Sequence, residues 1–399
     1  MAPILLAAIL AQDSSLDLPN DVTRIHELGA SSLLAAGRDN LTTVDLAGWK
    51  IAARSNVNSM KGERFIGVAA GLVVTASYEG VFAFGPDLKL KWTSPSKENA
   101  VEAVEASGGV LVLVQDRVAA GGVAQSGRLL DAASGAAKAS LDPGFANSWL
   151  WWAERDLFVF GEKEKQETDA GRVVAFNGSG QKVWEIKLGK ARRAGVSGRA
   201  ILAAEAESGG GTTLRAYDAK NGKALFFRQA GAGVGCVGPA GELAFVYEQS
   251  GSSGSKLTAL ELGGAGKEKW TATLPVGPRR VLEVGGHLVV ETSRATFGID
   301  ASNGARKWEL KRTEIYSTTS VGTDVFVPVV DAGGKARVLL ADWPEAGRPR
   351  KVKLVDPETG AAVQEIEVPN EELRTARVVG SRLVYSAQMK LFAAALGGK

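Results

Sequence analysis

Apolar and polar residues alternate with a period of two along most of this chain, in short runs broken by Gly, Asn, Asp and Ser. A period of two is the mark of a half-buried strand, because successive side chains leave opposite faces of the pleat. The clearest stretch is Thr296 to Trp308. Thr296 to Ile299 read as a strand and Asp300 to Gly304 as a tight turn. From Arg306 the extended pattern resumes, with Trp308 and Leu310 on one face. Asp and Asn bond their own backbone in turns, and Asn-Gly tolerates positive φ. No stretch carries a convincing helical period.

This unit recurs. Similar strand–turn–strand pieces are Leu41–Ala53, Val81–Trp92, Arg128–Leu141, Arg172–Trp184, Thr213–Phe226, Lys256–Trp270 and Lys351–Ile366, and Lys390–Ala395 is a last half-unit. Several share an Ala or Gly, an apolar residue and an Asp or its substitute, as in Ala216-Tyr217-Asp218 and Gly298-Ile299-Asp300. A turn glycine follows, then a large aromatic: Trp92, Trp184, Phe226, Trp270 or Trp308. Between units lie two further strand signals, such as Phe65–Gly71 before Leu72–Ser77, and Val281–Gly286 before His287–Glu291. Four strands in about 40–45 residues predict one blade of a β-propeller. The fold class expected is all-β: four-stranded antiparallel blades, eight of them, with seven or nine as the alternatives. The first unit is the weakest and need not be an independent blade. Three strands, Ala376–Val379, Arg382–Ala387 and Lys390–Ala395, await a fourth from the N-terminal segment Ser15–Val22. Loops between second and third strands are expected at Glu162–Ala170, Ser250–Ser255 and Asp331–Arg350.

Composition narrows the picture. Among 399 residues, Lys and Arg number 47 and Asp and Glu 44, a balance that does not indicate nucleic-acid binding. The single cysteine, Cys236, excludes an internal disulfide, and with only His26 and His287 beside it a structural zinc site is not expected. Cys236 reads as a buried thiol. The triple glycine 209–211 lacks the Lys-Ser/Thr of a phosphate loop. The run Pro3 to Ala11 fits the apolar core of a secretory signal peptide, although no Lys or Arg precedes it. Residues 1–12 are therefore read as a signal peptide or disordered segment, and 13–399 as one propeller domain. That places the protein in the periplasm or outside the cell; if the run is not a signal, it is cytoplasmic. No window is long and apolar enough for a transmembrane helix.

The pattern apolar-x-Ala-apolar-Asp-x-x-x-Gly-x-x-x-Trp resembles the repeat of the pyrroloquinoline-quinone-like, or quinoprotein-type, β-propellers. Leu214–Gly222, Thr296–Trp308 and Val352–Gly360 carry it best. The resemblance implies either of two functions. One is a dehydrogenase holding pyrroloquinoline quinone and calcium; the other is a cofactor-free scaffold of the BamB type. Asp218, Asp300 and Asp356 occupy turn positions, which explains them without catalysis. The expectation is accordingly a monomeric, non-catalytic scaffold of the cell envelope without cofactor, binding a protein partner through one face of inter-blade loops. The alternatives are a quinone- or metal-dependent oxidoreductase, and a carbohydrate- or polymer-binding propeller. Candidate partner-binding residues are Arg192, Arg193, Arg279, Arg280, Arg374 and Arg377, placed in the links between repeats, where Arg forks suit carboxylates. Trp149 and Trp151, on one face of a strand, are the candidate aromatic anchors.

Overall fold

The structure is a computed structural model. It describes residues 14–18, 22–29, 31–57, 62–117, 123–145, 148–154, 156–162, 171–188, 191–197, 200–206, 211–230, 234–240, 242–249, 254–311, 326–331, 333–342, 350–368, 375–387 and 389–396. Every regular element among them is a strand, and the strands form nine four-stranded antiparallel sheets of β-propeller type. Eight are built from consecutive strands. We number these blades 1 to 8, spanning 22–56, 64–95, 100–141, 148–187, 191–230, 234–274, 278–311 and 326–368. Blade 9 joins two distant parts of the chain: Thr375–Val379, Arg382–Ala387 and Lys390–Ala395 are completed by Ser14–Asp17. Ser14 stands opposite Ala393 and Asp17 opposite Lys390, so no edge of that sheet is left as three strands.

Nine blades replace the expected eight. The first unit, whose motif is weak, is the complete sheet of blade 1, from Val22–Gly29 to Lys50–Asn56. The stretch Asp331–Arg350 is not a loop: it holds the second strand of blade 8, Ala336–Asp342. Pro, Gly and charges flank that strand and disguise its apolar centre, Val338-Leu339-Leu340.

Contacts group the chain into two compact units. Unit 1 comprises 1–59, 86–88 and 280–399, and unit 2 comprises 60–85 and 89–279. Within each, apolar side chains of one blade pack on those of the next. In unit 1, Leu339, Leu354 and Ile366 of blade 8 pack with Leu383 and Tyr385 of blade 9. In unit 2, Val173, Trp184 and Ile186 of blade 4 pack with Ile201 and Ala203 of blade 5. Second strands are deeply buried, as strands covered on their faces are. Leu33, Val73, Leu111, Phe158, Ile201, Phe245, Leu288, Val338 and Leu383 all lie at 1% exposure or less.

The recurring Ala or Gly has a steric cause. It stands directly opposite the outer-strand aromatic: Ala83 faces Trp92, Ala175 faces Trp184, Ala216 faces Phe226, Ala259 faces Trp270 and Gly298 faces Trp308. A methyl group added at Gly298 would strike the indole of Trp308. A β-bulge follows the pair in each blade and widens the twist. Where the aromatic is missing, the partner grows: Thr43 faces Ala53, Leu129 faces Ala139, and Leu354 faces Gln364. Six of these eight pairs thus set one large side chain opposite Gly or Ala, as close packing demands.

Candidate functional site

The aromatic also explains the turn glycine. Its ring lies on the turn of the following blade: Trp92 against Gly135, Trp184 against Gly222, Phe226 against Gly266 and Trp308 against Gly360. At Gly360 φ is +72° and a Cβ would come within 2.6 Å of the Trp308 ring, so glycine is required there twice over. The indole N–H of Trp92 donates to the Ala132 carbonyl at 2.8 Å, and that of Trp308 to the Pro357 carbonyl at 2.9 Å.

The repeat carboxylates are the anchors of these turns. Asp131 accepts from the Ala133 and Ser134 amides, and Asp218 from those of Lys220 and Asn221. Asp300 accepts from the amide and hydroxyl of Ser302, and Asp356 from the amides of Glu358 and Thr359. Hydrogen bonds from Lys138 and Ser134 hold Asp131 down at about 2, and those from Ser302 do the same for Asp300. Among the described residues, no group of three His, Cys, Asp or Glu side chains is arranged to hold a metal ion.

Five of the six predicted arginines sit in strands and not in links. Arg192 and Arg193 belong to the strand Ala191–Ser197, Arg279 and Arg280 to Pro278–Val284, and Arg377 to Thr375–Val379. Each of these is the first strand of its blade. Ladder pairing carries the strands several residues further towards the preceding blade than turn residues alone suggest. Arg374 lies outside the described residues, as do the side chains of Arg192, Arg193 and Trp151.

Register unites residues that look unrelated in sequence. Starting at the repeat Asp position, going back four residues along the third strand and crossing two strands reaches one station on the first strand. In blade 5 this path runs Leu214, Ala204, Arg193, and in blade 4 it runs Val173, Gly161, Trp149. In blade 1 it ends on Arg24, through Leu41 and Ala36, and in blade 2 on Arg64, through Val81 and Ala76. Sequence reading misses Arg24 and Arg64, because the station is defined by pairing and not by distance along the chain. Blade 3 places Glu102 there and blade 6 Gly235.

The described arginines divide by their partners. Arg64 reaches the next blade, where its Nε donates to the Ala100 carbonyl at 3.2 Å and its Nη2 to the Asn99 side chain. Arg280 pairs with the buried carboxylate of Glu291 and lies 4.7 Å over the ring of Phe326 in blade 8. Both clasp their blade to its neighbour within one unit. Arg24, Arg279 and Arg377 are exposed. Arg24 and Arg377 flank His26 of blade 1: burial, then Arg377, then Arg24 hold that imidazole down at about 4, so it is neutral at pH 7. This seam between blades 9 and 1 is tied by Ser386, whose hydroxyl donates to the Val22 carbonyl, and by Arg382, which donates to the Leu46 carbonyl. Trp149 is half-buried. Chemically, the first strands offer exposed guanidinium forks for acidic groups beside arginines already committed to packing.

No curated protein matches the chain by sequence. A structure described as the eukaryotic initiation factor aligns with a TM-score of 0.57 at 11% identity, covering 91% of this chain and 94% of its own. BamB from Moraxella catarrhalis aligns with a TM-score of 0.48 at 13% identity, over 95% of this chain and 98% of that one. A europium-containing methanol dehydrogenase aligns with a TM-score of 0.44 at 11% identity, over 82% and 84%. The first of these likenesses speaks to the fold alone. Residues 210–398 match the family model described as outer membrane protein assembly factor BamB. That span, which carries Leu214–Gly222, Thr296–Trp308 and Val352–Gly360, is thus similar to the PQQ-like, BamB-type β-propeller repeat.

Proposed function

We propose that this protein is a non-catalytic scaffold of the cell envelope, exported to the periplasm, that binds a protein partner in outer-membrane protein assembly. The match of residues 210–398 to the outer membrane protein assembly factor family carries this reading. Two features support it. The repeat carboxylates are consumed by their own turns, and exposed Arg24, Arg279 and Arg377 remain for an acidic partner surface. Arg192, Arg193, Arg374, Trp149 and Trp151 are further residues proposed to bind a partner, whereas Arg280 contributes by packing.

The test has two arms. Purified protein is titrated with pyrroloquinoline quinone and Ca²⁺ while tryptophan emission is followed. No saturable quenching is expected; calcium-dependent quenching at micromolar quinone overturns the scaffold reading in favour of an oxidoreductase. Separately, the protein is cross-linked in envelope fractions and the adducts identified by mass spectrometry. A discrete outer-membrane assembly component, lost in Arg279→Glu/Arg377→Glu, is the expected result. Adducts unchanged by the double substitution remove the arginines from the interface.

A further inference from the structure

The outer strand of each blade is a sheet edge, with outward N–H and C=O groups that invite another strand. In eight blades that edge exposes charge. Blade 1 shows Lys50 and Arg54, blade 2 Lys91, and blade 3 Lys138. Blade 4 shows Lys182, Glu185 and Lys187, and blade 7 Arg306, Lys307 and Glu309. Blades 6, 8 and 9 show Glu268 and Lys269, Glu365 and Glu367, and Asp17. Such charges are the usual guard against edge pairing.

Blade 5 breaks the rule. Its outer strand, Ala224–Ala230, exposes Ala224, Phe227 and Gln229, and its one charge, Arg228, is half-buried. Phe227 is 72% exposed. Its station, directly after the wedge position, holds Arg54, Thr93, Ser140, Glu185, Thr271, Glu309 and Glu365 in the other seven blades of consecutive strands. Phe227 stands opposite Arg215, which is bonded to Glu205 at 3.0 Å. Exposed Lys220 and Lys223 lie in the turn leading into the strand. Among the described residues only the strand Thr212–Asp218 pairs with it.

We infer that the outer strand of blade 5 is a docking edge for an extended acidic segment of a protein partner, which adds a fifth strand to the sheet. Backbone hydrogen bonds supply the attachment, and alternate side chains supply the choice of partner. An apolar or aromatic residue of the segment covers Phe227, and carboxylates meet Arg228, Lys223 and Lys220. Charge selects this occupant over a second copy of the chain. A two-fold pairing centred on Phe227 sets Arg228 opposite Phe226, so the two Arg228 side chains become diagonal neighbours about 7–8 Å apart without a counter-charge. The inference rests on the protein-binding reading for the class of ligand only; the edge it uses is separate from the first-strand arginines.

The probe is a fluorescein-labelled heptapeptide alternating glutamate and valine about a central phenylalanine, read by anisotropy on the full chain. Saturable binding is expected, weakened roughly tenfold or more in Phe227→Lys, a change of about 1.4 kcal/mol or more. Phe227 is exposed, so this variant keeps its fold, which far-UV circular dichroism verifies. A peptide with alternate backbone nitrogens methylated should not bind, and one with lysine for glutamate should bind weakly. Arg279→Glu/Arg377→Glu should bind the probe as wild type does, so failure of the first-strand surface and failure of this edge are read separately. The inference is overturned by no binding, by binding indifferent to Phe227→Lys or to N-methylation, or by a wild-type dimer in sedimentation that Phe227→Lys abolishes.

Discussion

Blades 7 and 8 are neighbours in unit 1 with the same strand order and the same bulge, yet each ties itself to the next blade by different chemistry. Blade 7 sets Trp308 opposite Gly298 and sends the indole N–H to the Pro357 carbonyl of blade 8. Blade 8 sets Gln364 opposite Leu354 and sends the amide Nε2 to the Ala395 carbonyl of blade 9, at 2.7 Å. In both, a donor from the outer strand satisfies a carbonyl of the next blade, in the turn after its third strand at Pro357 and at the end of its third strand at Ala395. At these two blades the tie is a filled volume and a delivered N–H, which glutamine supplies as well as tryptophan. Blade 8 adds a second tie. Arg337, 9% exposed, donates to both Asp331 and Asp356 and so fixes two turns of its own sheet.

The largest effect should come from breaking the wedge in blade 7. Trp308→Ala is expected to cost about 3–5 kcal/mol, from the lost ring, the cavity and the unpaired Pro357 carbonyl. The sharper version transplants the blade 8 pair. Gly298→Leu alone overpacks against Trp308 and should cost about 3 kcal/mol, and Trp308→Gln alone leaves a void. Together they should recover at least about 1 kcal/mol of the summed loss in a double-mutant cycle by urea unfolding. Strict additivity would show that the two positions do not share a volume.

Next in size is the ionic tie of blade 8. Arg337→Leu leaves the buried Asp331 carboxylate without its cation and should cost about 3 kcal/mol. Arg306→Leu, an exposed arginine of blade 7, should cost under about 1 kcal/mol in the same assay, because its pair with Glu309 is solvated. Equal losses would refute the distinction between the two blades.

A smaller effect concerns the seam of blades 9 and 1. The fold holds His26 neutral down to about pH 4, against about 6.5 in the unfolded chain. The unfolded state therefore binds the proton first, so stability is full above about pH 6.5 and falls as pH drops towards 4. His26→Gln should flatten the melting temperature across that window; a profile unchanged by the substitution would separate His26 from the acid loss. Smallest of all should be Asp300→Ala, which removes a half-buried turn anchor and should lower the melting temperature by much less than Trp308→Ala.

Much of this architecture is legible in the chain. The units from Leu41–Ala53 to Lys390–Ala395 are the third and fourth strands of eight blades and the third strand of blade 9, because alternation, turn chemistry and a spaced aromatic are local signals. The closing N-terminal strand is legible too, from the missing partner of the last sheet. Blade 1 is faint in sequence because Ala53 replaces the aromatic, and only the pairing shows Thr43 standing opposite it. The strand Ala336–Asp342 is hidden where turn residues crowd a short apolar run. The candidate surface is less legible. Arg24, Arg64 and Arg193 share a station with Trp149 only through register, and Phe227 is anomalous only against the equivalent position of the other blades. Neither relation exists along a single strand.

The pairing of Ser14–Asp17 with Lys390–Ala395 also carries a consequence in time. A ribosome adding about 5–20 residues per second delivers the first strand of that pair roughly 20–80 s before the second. Throughout that interval the early strand has no partner and blade 9 does not exist. Completion of the molecule is therefore a checkpoint on synthesis: a chain stopped before Lys390 can fold its other sheets and still present an open edge. Such an edge is what chaperones and proteases recognise, so the late strand of the pair decides whether the whole protein is kept.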